Sequence, residues 1–444
     1  MPCKGSRGAM RYFFVVINSP ARTERAVRSF HPAWIAAGIT FLTLVATAGF
    51  RSAPSVLIVP LETAFGWSRA QISLAVSVNV LLYGLTAPFA AALMDRFGIR
   101  RVVMAALTMI GSGAAATVFM TEPWHLVLLW GVVVGMGTGS MALVFAASVV
   151  NRWFVQRRGL VIGLLTAATA SGQLVFLPGL SLLAMHVGWR SVSLTVAAGA
   201  LVMVPVIWLF LREGPAELGR LPYGAAPDWQ PPVRSAGNVA QLTLQTLRDA
   251  AKVRDFWYVS GSFFVCGLST SGLIGTHFIP AAHDHGMAEV AAASLLALVG
   301  VFDVVGTIFS GWLTDRYDPR RLLFVYFFLR GISLALLPSV LFSTVQPSTL
   351  VFVIFYGLDW VATVPPTVVL CRRILGRERA TVVYGWVFAA HQIGGSIAAY
   401  GAALARVQFG DYALAFYFSG LLCVVTAYFV LQIAKGVPAS ALKG

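Results

Sequence analysis

Apolar runs of about twenty residues recur along the whole chain, each closed by a short polar stretch. A helix rises about 1.5 Å per residue, so roughly 20 residues cross the ~30 Å hydrocarbon core of a bilayer. The pattern predicts six spanning helices at 33–59, 70–93, 102–120, 124–150, 160–185 and 192–211. Six more follow at 256–281, 290–313, 322–342, 348–370, 381–404 and 412–433. The longest polar interval, 212–255, holds Pro215, Pro222, Pro227, Pro231 and Pro232 and divides six spans from six. The expected organisation is an N-terminal segment 1–32, a helical bundle 33–211, a connecting loop 212–255, a second bundle 256–433 and a tail 434–444. The fold class that follows is all-α and integral to a membrane.

Composition agrees: 58% of the 444 residues are hydrophobic and 11% charged, with a mean hydropathy of +0.79. Soluble domains of that composition would not stay in solution, so the solvent around most of the chain is lipid. The net charge of +15 raises nucleic acid as a partner, but the placement of the charge excludes it. All of the 32 lysines and arginines except Arg51, Arg69, Arg190, Arg330 and Arg406 fall in the termini, the central loop and alternate short loops. That asymmetry is a topology signal, and the positive-inside rule puts those loops and both termini in the cytoplasm, with the chain in the inner (plasma) membrane. Cys3, Cys266, Cys371 and Cys423 lack the paired spacing of a metal or disulfide framework. Gly135-Met136-Gly137-Thr138-Gly139 lacks the strand and lysine of a phosphate loop and predicts close helix packing. His283-Asp284-His285 is too sparse to assign to a metal.

The two halves share a plan. At a constant offset of 220 residues, Asp95-Arg96 falls on Asp315-Arg316, Arg100-Arg101 on Arg320-Arg321, Arg152 on Arg372, and Pro60 on Pro280. A shared offset without gaps points to duplication. The loop Ala91-Ala92-Leu93-Met94-Asp95-Arg96-Phe97-Gly98-Ile99-Arg100-Arg101 is repeated as Gly311-Trp312-Leu313-Thr314-Asp315-Arg316-Tyr317-Asp318-Pro319-Arg320-Arg321. Both copies resemble the Gly-x-Leu-x-Asp-Arg-x-Gly-Arg-Arg signature of the major facilitator superfamily, each departing once in its glycines, at Ala91 in one and at Asp318 in the other. A second stretch, Arg152-Trp153-Phe154-Val155-Gln156-Arg157-Arg158-Gly159 with Gly163, Gly172, Pro178 and Gly188-Trp189-Arg190, resembles the monocarboxylate and oxalate/formate porter branch.

The resemblance implies two pseudo-symmetric six-helix bundles around a central cavity lined by spans one, four, seven and ten, with help from two, five, eight and eleven. It also implies a conformational latch at Asp95, Arg96, Arg100 and Arg101 and again at Asp315, Arg316, Arg320 and Arg321, whose contacts hold only one of two states.

Ionisable side chains inside a bilayer cost several kcal/mol unless partnered or wet, so each is a functional candidate. Arg51 in span one is the expected substrate anchor, because a guanidinium offers a two-pronged fork to a carboxylate. The branch places its basic residue one turn later, near Pro54, and the competing reading is an arginine that snorkels to headgroups. Asp303 matches the branch's span-eight aspartate, whose companion arginine four residues on is here Thr307. Asp303 and Asp359 are the candidates for proton coupling, and Asp303 is equally readable as the constant partner of an arginine. Arg330 and Asp359 are expected to form a charge pair between spans nine and ten. Asn79, Tyr83, Gln173, His277 and His391 complete the substrate-binding candidates, each with helix packing as the alternative.

The chain has no nucleophile, metal cluster or carboxylate pair at reactive spacing, so no enzyme, cofactor or metal is expected. The function expected is secondary active transport of a small organic anion, a monocarboxylate, by alternating access with proton symport or anion exchange, in a monomer. The alternatives are an exporter of neutral or amphipathic compounds and a membrane receptor that does not transport.

Overall fold

The computed structural model describes residues 31–141, 143–229 and 239–434, without the side chains of 88, 91, 92, 143, 166, 167, 169–175, 239, 377 and 378. The N-terminal segment up to His31 is a unit of its own, and from Pro32 onward the chain is one unit. The first six helices are α1 (Pro32–Phe65), α2 (Arg69–Phe97), α3 (Ile99–Ala116), α4 (Pro123–Trp153), α5 (Arg158–His186) and α6 (Trp189–Phe210). A short helix, Val239–Ala250, lies in the central connection. The second six are α7 (Arg254–Asp284), α8 (Glu289–Thr314), α9 (Pro319–Val340), α10 (Pro347–Gly376), α11 (residues 377–409) and α12 (Ala413–Val430). Ten of these are long and apolar enough among the described residues to cross a membrane. The other two are α5 and α11, the latter set off from α10 by a kink at the non-helical last residues of that range, Leu375 and Gly376.

Local chemistry sets several of these ends. Ser68 caps α2 through a capping box with Gln71, whose side chain accepts from the Ser68 N–H at 2.9 Å. The glycine run of α4 packs as expected: Gly135 lies on Asn79 of α2, Gly139 on Tyr83 and Thr86, and Gly137 on Ala106 of α3. The duplication extends into the packing. Gly111 of α3 meets Leu201 of α6, and Gly331, 220 residues on, meets Gly420 of α12. The two halves touch along α2 and α11, along α5 and α8, and where α1 meets the distal part of α7, Gly275–Asp284.

α10 is broken in mid-span. Residues 360–363 form a turn rather than a helix, because Pro365 and Pro366 have no N–H to offer the carbonyls of Val361 and Ala362. Backbone groups released inside a bilayer must find other partners. Arg330 of α9 donates to the carbonyls of Asp359 and Trp360, Ser310 of α8 to that of Ala362 at 2.5 Å, and Asp303 accepts from the Val361 N–H at 3.0 Å. Gly306 of α8 and Gly357 of α10 allow this approach, since a methyl on Gly306 would overlap the Leu358 carbonyl.

Candidate functional site

Between the halves lies an open-sided cavity of about 670 Å³, a volume that includes its open mouth. α1 contributes Phe50, Arg51 and Pro54, and α2 contributes Val76, Asn79, Val80 and Tyr83. The opposite wall is Ser271, Gly275 and Thr276 of α7, Trp360 at the α10 break, and Gln392 of α11. Two features shape these walls: Pro54 inside α1, and a π-helical stretch of α7, Leu268–Ile274, that carries Ser271. Such bulges occur often at functional sites.

Arg51 is exposed to this cavity, its guanidinium 5.5 Å from the Tyr83 ring centre. No acidic or hydrogen-bonding side chain among the described residues holds it. Asn79 donates through Nδ2 to the Trp130 carbonyl at 2.7 Å. Arg51, Asn79 and Tyr83 are thus brought together, whereas the side chain of Gln173 lies outside the described residues.

His277 and His391 are not on the cavity wall. Thr276 faces the cavity, and His277, one step further round α7, is fully buried with Nε2 against the Ala399 carbonyl of α11 at 2.7 Å. His391 stacks on Phe388 and leans on Phe263, its ring centroid 5.8 and 4.9 Å from theirs.

Asp303 faces a neighbouring smaller pocket with Leu177, Leu296, Val299 and Gly300; Trp360 and Gly275 line both spaces and separate it from Arg51. Its Oδ1 accepts from Thr307 at 3.0 Å, at the position where the branch pattern has an arginine. Arg330 donates from Nε to Asp359 Oδ2 at 2.6 Å and from Nη1 to the Cys266 sulfur at 3.0 Å. The second Asp359 oxygen has no partner among the described residues.

At the end remote from the arginine clusters, the halves are tied by ions. Arg69, at the start of α2, grips both oxygens of Asp284 at the end of α7 (2.8 and 2.7 Å) and one oxygen of Glu62 (2.8 Å). Arg406 of α11 binds the same Asp284 at 2.7 Å. In the sequence Arg69 and Arg406 stand out only as exceptions to the charge asymmetry, and nothing local marks this bridge.

At the basic end, the two signature loops are built differently. In the first, Asp95 pairs with Arg152 of α4 at 3.0 Å rather than with Arg100 or Arg101. Arg152 also meets Glu213 at 3.1 Å, and Glu213 caps α3 by accepting from the Ile99 and Arg100 N–H groups at 2.7 and 3.0 Å. Arg96 and Arg100 lie over Phe97 and Trp208. Gly98 has φ +92°, and a side chain there would run into the Glu213 carboxylate.

In the second loop the residue equivalent to Gly98 is Asp318, which itself caps α9 by accepting from Arg320 N at 3.0 Å and binds the Arg320 guanidinium at 2.6 Å. Arg320 holds the Asp318 carboxyl below the usual carboxylate range. The position equivalent to Glu213 is apolar Ile433, whose carbonyl accepts from Arg320 at 2.8 Å. Asp315 and Arg321 have no ion-pair partner among the described residues, and Arg316 stacks on Trp312 at 4.1 Å. One capping carboxylate is present in each half, supplied from opposite sides of the turn. Gly98→Asp alone therefore puts two carboxylates together and is expected to cost about 1–3 kcal/mol. Adding Glu213→Ile removes the repulsion and leaves the strain of a side chain at φ +92°, so it should recover part of the loss and not all of it, as read by thermal unfolding of the purified variants.

The sequence model of the Major Facilitator Superfamily matches residues 39–399. The chain belongs to this superfamily. An MFS-type transporter of Bacillus subtilis, YcxA, is 24% identical over 84% of this chain and 88% of its own length. Monocarboxylate transporter 13 of Rattus norvegicus is 27% identical, covering 87% of this chain and 85% of the relative. Monocarboxylate transporter 11 of Homo sapiens is also 27% identical, covering 79% and 72%. Among solved structures, a D-xylose–proton symporter superposes with a TM-score of 0.69 at 14% identity, covering 90% of this chain and 98% of its own. A bacterial homologue of the human lysosomal transporter Spinster, inward-facing and occupied, gives 0.67 at 16% identity, covering 90% and 98%. At those identities the structural likeness shows the fold: twelve helices in two pseudo-symmetric bundles. This major facilitator protein is a multi-pass membrane transporter resembling the monocarboxylate branch, and not an enzyme.

Proposed function

We propose that this transporter carries a small organic anion, a monocarboxylate, by alternating access with proton symport or anion exchange. The observation that carries the reading is Arg51, a cavity-facing guanidinium with no ion-pair or hydrogen-bond partner among the described residues. Five N–H donors in a rigid fork, set against an aromatic wall, suit a carboxylate better than a neutral solute. The names of the relatives support the same substrate class. Asp303 is the better candidate for proton coupling: it faces a pocket beside the cavity and has no guanidinium within ion-pair distance among the described residues. Asp359 is committed to Arg330 and serves the fold.

In this reading the arginine-rich end lies in the cytoplasm with both termini, the membrane is the inner (plasma) membrane, and the Arg69–Asp284–Arg406 bridge closes the outer end. Asp95, Arg152 and Glu213 act as the latch of the first half, with Arg96, Arg100 and Arg101 around it, and Asp318–Arg320 is its counterpart in the second. The protein works as a monomer.

The test is uptake of labelled short monocarboxylates into proteoliposomes. Saturable uptake is expected, and Arg51→Gln should lower it at least about 100-fold, the loss of a charge-assisted fork worth roughly 3 kcal/mol. Undiminished uptake by that variant would refute the anchor.

A further inference from the structure

We infer that the cavity recognises a hydroxylated monocarboxylate, and that the Gln392 side-chain amide is the group that reads its hydroxyls. The inference rests on the anion reading above and deepens it. Gln392 is 3% exposed, yet it lies on the cavity wall, and its side chain hydrogen-bonds to none of the described residues. An amide brings two donors and an acceptor, and a solute that displaces the cavity water without meeting them leaves them unpaired at a cost. The group is also held in place. Its Cβ and Cγ lie over Gly84 of α2, where even a methyl group would overlap them, so the amide is presented from a fixed stem.

Asn79 adds a second, oriented acceptor. It is 9% exposed, and the Nδ2 bond to the Trp130 carbonyl fixes its amide so that Oδ1 is the atom left for a ligand. Ser271 places a further hydroxyl on the facing wall.

The cavity therefore offers one cationic fork and, apart from it, amide and hydroxyl groups that both donate and accept, among them the Asn79 and Gln392 oxygens, which need donors. An unsubstituted short-chain carboxylate brings none, and once it displaced the water these oxygens would stand unpaired. A dicarboxylate would bring a second anion to a lining that holds a single guanidinium, Arg51. A carboxylate carrying hydroxyls on the neighbouring carbons gives its anion to Arg51 and its O–H groups to Asn79 and Gln392. A site built to hydrogen-bond a hydroxyl discriminates strongly against the analogue that lacks it. His391, the neighbour that sequence reasoning singled out, points about 100° away round the helix and takes no part.

The experiment is equilibrium binding to the purified full chain with two probes of equal length, gluconate and hexanoate. The wild-type protein should bind gluconate at least about 30-fold more tightly, the yield of two neutral hydrogen bonds at roughly 1 kcal/mol each. Gln392→Met keeps the stem over Gly84 and removes the amide. It should cut that ratio below about 5-fold and leave hexanoate within about 3-fold of wild type. Equal or tighter binding of hexanoate by the wild type overturns this inference and leaves the anion reading standing. Binding of neither acid by protein with an intact thermal transition overturns both. Retention of the full ratio in Gln392→Met overturns the role of Gln392.

Discussion

Arg330→Met should destabilise the second bundle by about 3–5 kcal/mol, among the largest losses expected of a single substitution in this chain. The side chain is 0% exposed and donates from α9 to the α10 break, at Asp359 Oδ2 and the carbonyls of Asp359 and Trp360, and also to the Cys266 sulfur of α7. Methionine fills the volume but leaves a buried carboxylate and two carbonyls without donors. The double variant Arg330→Met with Asp359→Leu removes the stranded charge and should recover more than half of the loss, leaving the backbone carbonyls as the residual cost. Thermal unfolding of the four proteins in one detergent checks this. A double variant no more stable than Arg330→Met would show that the pair itself is not what the bundle depends on.

Asp284→Asn is expected to open the end opposite the arginine clusters. One carboxylate holds two arginines from different halves, Arg69 through both oxygens and Arg406 through one. Asparagine leaves two guanidiniums facing each other with Glu62 as the remaining anion. Loss of a half-buried, charge-assisted bridge amounts to about 2 kcal/mol, or roughly 30-fold in the ratio of closed to open at that end. In a background without the four native cysteines, Ser271→Cys places a thiol on the cavity wall. Its reaction with a membrane-impermeant reagent added from the Arg69 side should accelerate about 10-fold or more when Asp284→Asn is added. An unchanged rate would mean that the bridge does not gate the cavity.

The twelve helices were legible in the sequence because a bilayer leaves a chain little choice: every crossing must be long, apolar and internally hydrogen-bonded. The pseudo-symmetry was legible because the 220-residue offset had accumulated no gaps. What escaped was the wiring. Arg330 read as one half of a charge pair, whereas its main task is to satisfy a helix broken by Pro365 and Pro366, a signal that was present but not followed to its consequence. Arg69, Arg406 and Asp284 are far apart along the chain, and nothing local marks three loop-end charges as neighbours.

His277 and Gln392 show a second limit. Which residue of an adjacent pair faces a cavity depends on helix rotation, and the π-helical stretch of α7 shifts that rotation just before Thr276. Asp318 looked like a departure from the glycine pattern. Paired with Ile433 in place of Glu213, it is the same cap supplied from the other side.

Counterflow tests most directly whether these halves form a carrier for a carboxylate. Proteoliposomes loaded with unlabelled acid and diluted into a trace of labelled acid should accumulate label transiently above its equilibrium level, and Arg51→Gln should abolish the overshoot. A folded wild-type protein that gives no overshoot with any small carboxylate, or gives it only with neutral compounds, contradicts the account.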